Sequence, residues 1–269
     1  AGRNPRPDGK HNDRLPEEQR HRWPAQWSWT DADGDGQIDA AEVDLFKAGR
    51  GADVKYAMFG ANVDAKGNIL YCEHHTRAVW ELPLGRLDQN GNPVYDWAKA
   101  RQIVPRDTSR VKFFPLMAVR AEDGSLYAFG RSEGRPRPGD KTAGYAWMGG
   151  WALLRYDKDG KVLWAARLPN VCVGMDAIPG ARGVMLGYYQ KAHVYHYTPG
   201  GLLIGRMEVG EAADRNTGWM DNTAALAVNR DPRDGLLDVF GEDSLNNRII
   251  WYRVNDRDIR TITGTVALK

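Results

Sequence analysis

Cysteine is almost missing from this 269-residue chain, which has only Cys72 and Cys172. Without a CxxC pair or a thiol cluster, a disulfide framework and a cysteine-built zinc site are both excluded, and a single Cys72–Cys172 bond stays open. Charge of one sign is equally scarce. Lys and Arg number 37 against 35 Asp and Glu, and a net charge of +2 sets up no field that would draw nucleic acid or a membrane surface. No apolar run approaches the ~20 residues that a membrane helix needs. The opening AGRNPRPDGK also lacks the apolar stretch of a signal peptide. The expectation is a water-soluble chain that binds neither nucleic acid nor membrane.

What is present falls into unequal parts. Residues 1–24 are rich in Arg, Pro, Asn, Asp and Gln and have little to bury, as in an extended arm or linker. Residues 25–50 hold an acidic loop followed by a candidate short helix. From residue 51 to 269 the sequence changes to short β-branched, aromatic and leucine runs punctuated by glycine turns.

Those runs repeat. ANVDAKGNILYC, MAVRAEDGSLYAFG, MDAIPGARGVMLGYY and ALAVNRDPRDGLLDVFG each read as strand, glycine turn, strand, with turn glycines Gly67, Gly124, Gly183 and Gly235. A second hairpin follows each: AVWELPLGRLDQNGNPVYDW, WALLRYDKDGKVLWAARL, AHVYHYTPGGLLIGRMEV and NRIIWYRVNDRDIRTITGTV. Two hairpins make a four-stranded antiparallel meander. A lone twisted sheet buries both faces only by stacking on neighbours of its own kind, so the repeat predicts an all-β fold of β-propeller blades. The blades fall at about 57–105, 111–168, 171–209 and 219–269. An open sandwich is the alternative arrangement of such strands.

The sharpest motif is DADGDGQIDAAE, residues 31–42. A calcium loop of the EF-hand type takes oxygen ligands from its first, third, fifth, seventh, ninth and twelfth positions, with glycine at the sixth. Asp31, Asp33 and Asp35 supply the first three and Gln37 its carbonyl. Asp39 serves directly or through water, Glu42 is the bidentate twelfth, and Gly36 and Ile38 complete the pattern. Carboxylates converging in so short a loop repel one another without a cation, and Ca2+ is their natural partner. Pro24 and the tryptophans of WPAQWSW leave no long helix before the loop, whereas AAEVDLFKAG after it can form one. With no second, paired loop, the ion is expected to pin the arm to the propeller and not to act as a switch. DKDGK, DQNGN and VDAKGN are too short for calcium and read as hairpin turns.

Two resemblances follow. RYDKDGKVLWAARLP, with Asp157, Gly160, Lys161 and Trp164, resembles the tryptophan-ended blade strand of quinoprotein-like propellers. LDQNGNPVYDW, with Asp88, Gly91 and Trp97, is similar, although its Trp falls two residues late. This implies a fold and not a quinone, since the adjacent cysteine pair of quinoprotein alcohol dehydrogenases is absent. More broadly, residues 25–269 resemble bacterial secreted propellers, with quinoprotein-like or NHL-like blades, interrupted by an EF-hand loop. Such propellers usually have more than four blades, which leaves open a fragment, a closed four-blade ring, or further blades in divergent text.

In a propeller, the loops joining second to third strands and those joining successive blades emerge on one face. That face would gather His74, His75, Arg77, Arg110, Lys112, Arg131, Arg135, Arg137, Lys141, Tyr145, Trp147, Tyr189, Lys191, Trp219, Asp221, Asn222 and Glu242. Both long insertions land there, and long unstructured connections in compact domains are usually functional. Flat aromatics beside guanidinium and ammonium groups suit sugar rings bearing carboxylates or sulfates.

His74 or His75 can serve as general base with Arg77 neutralising a substrate acid group, and Tyr189 is an alternative base. Each also reads as a solvated loop residue or a hydrogen-bonded strand end. His193 and His196 are too ill-matched on a strand to share a metal. Two function classes stay open. One is a calcium-stabilised, extracellular or periplasmic propeller that recognises an acidic polysaccharide or a protein partner. The other is a polysaccharide lyase or glycoside hydrolase acting on acidic glycans. A quinone-dependent redox propeller comes last.

Overall fold

Glycine turns and side-chain alternation set the strands, and turn geometry sets how they pair. The computed structural model describes residues 2–3, 26–46, 61–73, 78–104, 113–132, 150–169, 172–188, 193–207, 226–243 and 248–257. The chain divides into two compact units, Ala1–Val171 and Cys172–Lys269.

The first unit opens with a three-stranded antiparallel sheet, β1 (Gly2–Arg3), β2 (Gln26–Trp29) and β3 (Val43–Phe46). Its first blade is β4 (Ala61–Val63), β5 (Ile69–Glu73), β6 (Ala78–Leu82) and β9 (Arg101–Val104). A two-stranded ribbon, β7 (Leu84–Leu87) and β8 (Pro93–Tyr95), is inserted before the last strand. The second blade is β10 (Phe113–Arg120), β11 (Leu126–Ser132), β12 (Trp151–Tyr156) and β13 (Val162–Arg167).

The second unit holds a third blade of β14 (Cys172–Ala177), β15 (Val184–Tyr188), β16 (Val194–Tyr197) and β17 (Leu203–Met207). Its fourth blade shows three described strands, β18 (Leu226–Arg230), β19 (Leu237–Asp243) and β20 (Arg248–Val254). The fold is all-β and built from four antiparallel propeller blades, as the repeat predicts.

Two expectations need correcting. The helix expected after the acidic loop is a single 3-10 turn at Ala40–Glu42, after which Val43–Phe46 runs as a strand. The apolar–polar alternation of Val-Asp-Leu fits a ladder, and β2 offers one, with Trp29 opposite Val43 and Gln26 opposite Phe46. In the first blade, LGRL and PVY do not close the second hairpin. They pair with each other, and β9 supplies the fourth strand.

Alternation along each blade strand sends successive side chains to opposite faces. Leu70, Cys72 and Val79 pack against Ala118, Leu126, Ala128, Ala152 and Leu154 of the second blade in a common hydrocarbon core. Tyr71, Leu82 and Trp97 form a separate cluster with Ile69, Trp80 and Tyr95 on the other face. The inserted ribbon is bonded over that face. Tyr95 Oη donates to Gly67 O at 2.7 Å, and Leu84 N donates to Asn68 Oδ1 at 3.1 Å.

Polar struts join the blades within each unit. In the first, Asn62 Nδ2 donates to Ala118 O at 2.9 Å, and Arg120 bridges Asp64 and Glu81. In the second, Asp256 accepts from Arg230 and pairs with Arg182. Cys72 and Cys172 are both free and buried, and burial pushes each thiol's pKa far above its ordinary value, so neither is a nucleophile. Among the described residues no helix is long and apolar enough to cross a membrane.

Candidate metal centre

The acidic loop is the turn of a hairpin whose arms are β2 and β3. Its first carboxylate organises the chain. Asp31 Oδ1 accepts from Gly34 N at 2.8 Å and Asp31 Oδ2 accepts from Gly36 N at 3.1 Å. Asp33 Oδ1 accepts from Asp35 N at 3.1 Å, and Asp35 Oδ1 accepts from Gln37 N at 2.7 Å. These bonds require the backbone to reverse sharply at Gly34 and Gly36. Both glycines hold positive φ, 82° and 74°, a region where a Cβ is strained.

The consequence is convergence. One oxygen from each of Asp31, Asp33 and Asp35 lies within 4.8 Å of the others. Oxygens bound to one calcium at about 2.3–2.6 Å lie no farther apart than about 5 Å, twice that bond length, so the spacing fits a shared ion. The donors are all carboxylate oxygens, with no imidazole or thiolate among them, which suits a hard cation. Asp33 and Asp35 are exposed and Asp31 is half-buried, so an ion can enter from solvent.

Glu42 has a different set of partners. Its Oε2 accepts from the Trp29 indole at 2.9 Å, and its Oε1 accepts from Ala32 N at 2.6 Å and Asp33 N at 3.4 Å. The Trp29 bond, helped by the amides and opposed by partial desolvation, holds the Glu42 carboxyl below the usual carboxylate range. Glu42 therefore ties the base of the hairpin to Trp29 and to the loop amides, and is not part of the three-carboxylate cluster. Asp39 is exposed at the entry to the 3-10 turn, and its side chain does not cap that turn. Gln37 N is tied to Asp35.

Two contacts from outside the loop hold it in place, and the sequence reading missed both. Asn90 Nδ2 donates to Ala32 O at 2.9 Å, and Asn92 Nδ2 donates to Asp31 O at 2.6 Å. Both asparagines belong to the DQNGN turn joining β7 to β8. That turn is itself fixed by Asp88, whose Oδ1 accepts from Asn90 N and Asn92 N at 2.9 and 2.8 Å. DQNGN is the hairpin turn expected, but it is also the support on which the acidic loop rests. Asparagine in a glycine turn is too common to have signalled this.

The other candidates divide cleanly. His74, His75, Arg77, Arg110, Lys141, Tyr145, Tyr189, Lys191, Trp219, Asp221 and Asn222 lie outside the described residues. Arg131 is half-buried near the end of β11, opposite Trp151 of β12. Glu242 is half-buried on β19, opposite Ile249. His196 is buried at 6% exposure, and burial lowers its pKa; it belongs to the packing of the third blade.

No family model matches the chain, and no curated protein matches it. Solved structures do. A virginiamycin B lyase from Staphylococcus aureus is similar over 73% of this chain and 55% of its own, at 13% identity and a TM-score of 0.37. A gluconolactonase from Xanthomonas campestris is similar over 79% and 65%, at 16% identity and a TM-score of 0.43. A protein of unknown function from Bacteroides caccae is similar over 76% and 62%, at 13% identity and a TM-score of 0.38. The chain thus spans less than two thirds of these structures' own length. The likeness conveys neither substrate nor reaction.

Proposed function

We propose that residues 31–42 bind one calcium ion and that this ion fastens the N-terminal hairpin to the first blade of a calcium-stabilised, extracellular or periplasmic propeller. The observation that carries the reading is the convergence of Asp31, Asp33 and Asp35 within 4.8 Å in a loop whose amides are already turned toward their carboxylates. Glu42 would complete the ligand set by giving up the Trp29 indole and the Ala32 amide. On this proposal the affinity is that of extracellular modules, with Kd values of about 0.1–1 mM, which suits a compartment rich in calcium.

The propeller's partner, on this proposal, is an acidic polysaccharide or a protein taken by the strand-joining loops. The support is the sequence alone, which places arginines and lysines beside Tyr145, Tyr189 and Trp219 in those loops.

Thermal unfolding in calcium and in chelator tests the metal reading. At calcium a hundred-fold above Kd, binding adds about 2.7 kcal/mol to the first unit, and its transition moves up accordingly. Asp31→Asn removes that shift. An unchanged transition in calcium sinks the reading. Repeating the scans with acidic polysaccharides, while following the ultraviolet absorbance of unsaturated uronate ends, separates the ligand classes. Stabilisation without cleavage supports recognition, and growing absorbance supports a lyase.

A further inference from the structure

Two seams show which face of a blade receives the next one. In the first unit, Leu70, Cys72 and Val79 of the first blade are buried against the second, and Asn62 Nδ2 donates to Ala118 O. In the second unit, Asp176 of the third blade accepts from Val228 N of the fourth at 2.8 Å, and Met185 and His196, in the same cross-strand row, are buried. Asn62 and Asp176 each lie two residues before the N–H that bridges their blade's first turn, that of Asp64 and of Ile178. In both blades the face carrying this position is the one turned to the next blade.

The same register runs through the fourth blade. Asn229 lies two residues before Asp231, whose N–H bridges the first turn, and the ladder sets it opposite Asp238, which in turn lies opposite Arg253. One step along that face Phe240 pairs with Trp251, at the places that Cys72 and Val79 hold in the first blade. The likeness ends at burial. Cys72 and Val79 are sealed, whereas Phe240 is 36% exposed, Trp251 is 58% exposed, and Ile249, two residues away on the same face, is 72% exposed. Val228, Leu237 and Val239 make the other face of the blade, and they are buried. End members of stacked repeats ordinarily present a polar outer face, so an apolar one marks a surface that takes a partner.

The aromatic pair is held ready. Trp251 Nε1 donates to Asp238 Oδ1 at 2.9 Å, its ring lies within 9° of parallel to Phe240 at 6.3 Å, and the Arg253 guanidinium stands 5.8 Å from the indole centroid. Tryptophan, phenylalanine and arginine are the side chains enriched at the centre of protein interfaces, and fixing them beforehand reduces the entropy lost on docking. The surface that a first blade would offer in return is taken, because its Tyr71, Trp80 and Leu82 already pack with Trp97 and with Tyr95 of the inserted ribbon. The same face of a second copy has no such cover. It carries Asp238 and Glu242 beside Arg253, so it meets itself without opposing charges of one sign only. Two-fold pairing of one patch with itself is also the commonest closed arrangement of identical chains.

We propose that this chain forms a two-fold dimer through the face of its fourth blade centred on Phe240, Ile249 and Trp251. The test is the mass of the full chain in solution, by sedimentation across a concentration series, for the parent and for Trp251→Ser and Ile249→Ser. Both side chains are exposed in the single chain, so the far-ultraviolet circular dichroism is expected to stay as it is. The dimer is expected to weaken by roughly thirty-fold or more, the effect of losing an interface anchor. Cysteine trapping reports the geometry, because Cys72 and Cys172 are both buried. Ile249→Cys is expected to give a disulfide-linked dimer on mild oxidation, whereas Val63→Cys, on the exposed first strand of the first blade, is not. A parent that stays monomeric throughout the series, a dimer that survives both serine variants, or a bond between Ile249→Cys and Val63→Cys chains in a mixture overturns the proposal.

Discussion

Replacing Glu81 tests whether the first two blades are held by a buried charge network or by hydrocarbon alone. Glu81 lies on β6 with 2% exposure, and three donors converge on it. Arg101 gives Nε at 2.8 Å and a terminal nitrogen at 2.5 Å to one oxygen, while Arg120 takes the other. Arg120 Nε also stands 3.2 Å from Asp64 Oδ2, so one guanidinium of the second blade ties two carboxylates of the first. The side chains differ in solvent access: Asp64 and Glu81 are 2% and 3% exposed, Arg120 is 18% exposed and Arg101 is 67% exposed.

Breaking a buried pair by removing one partner costs about 3–5 kcal/mol, because the other charge is left uncompensated. With Asp64 still beside Arg120, Glu81→Gln is expected at the low end, about 3 kcal/mol. Arg101 is largely solvated and its pairing is screened, so Arg101→Ala is expected to cost less than about 1 kcal/mol. Denaturant unfolding of the full chain, with a double-mutant cycle between Glu81→Gln and Arg120→Met, measures both costs and their coupling. If Arg101→Ala costs as much as Glu81→Gln, or if the cycle shows no coupling, the network does not join the blades.

Three further outcomes are expected. A Cβ at Gly183 would lie 2.0 Å from Tyr197 O, so Gly183→Ala forces β15 away from the turn after β16 and costs about 3 kcal/mol or more, whereas Gly36→Ala, with open space around it, costs the positive-φ penalty of about 1–2 kcal/mol. Chemical denaturation of the two variants checks the ranking. If calcium draws Glu42 away from the Trp29 indole, tryptophan emission changes on titration with the metal, and the change vanishes in Trp29→Phe; an identical response from that variant refutes the rearrangement. Hydrogen bonds from Arg233, joined by Arg253, hold Asp231 well below the usual carboxylate range, and Arg230 does the same for Asp256. Both lowered acids contribute stability that is complete above about pH 4 and is lost as pH falls through their folded values, so acid unfolding of the second unit should begin below that point and move to higher pH in Arg230→Met.

Much of the fold was legible because the physics that sets it is local. A glycine with positive φ lies in the first turn of each blade, and an alternating run on either side supplies the ladder, so Gly67, Gly124, Gly183 and Gly235 marked those turns correctly. Asp31, Asp33 and Asp35 converge because they alternate along one short turn in which the amides of Gly34 and Gly36 reach back to Asp31, whereas Asp39 and Glu42 of the same twelve-residue pattern are not in that cluster. Where a segment's neighbour decided its state, local signals failed. Residues 40–46 have fair helix formers, yet β2 offers a ladder and the chain takes it.

What only the tertiary structure decided is which distant groups meet. Asn90 and Asn92 lie about sixty positions from the carbonyls they hold, Arg120 reaches back 39 residues to Glu81, and Val228 donates across 52 residues to Asp176. Nothing in a turn asparagine or a strand aspartate announces such partners. A hydrogen bond needs two groups within about 3 Å, and when sequence separation is large that distance is set by how blades stack.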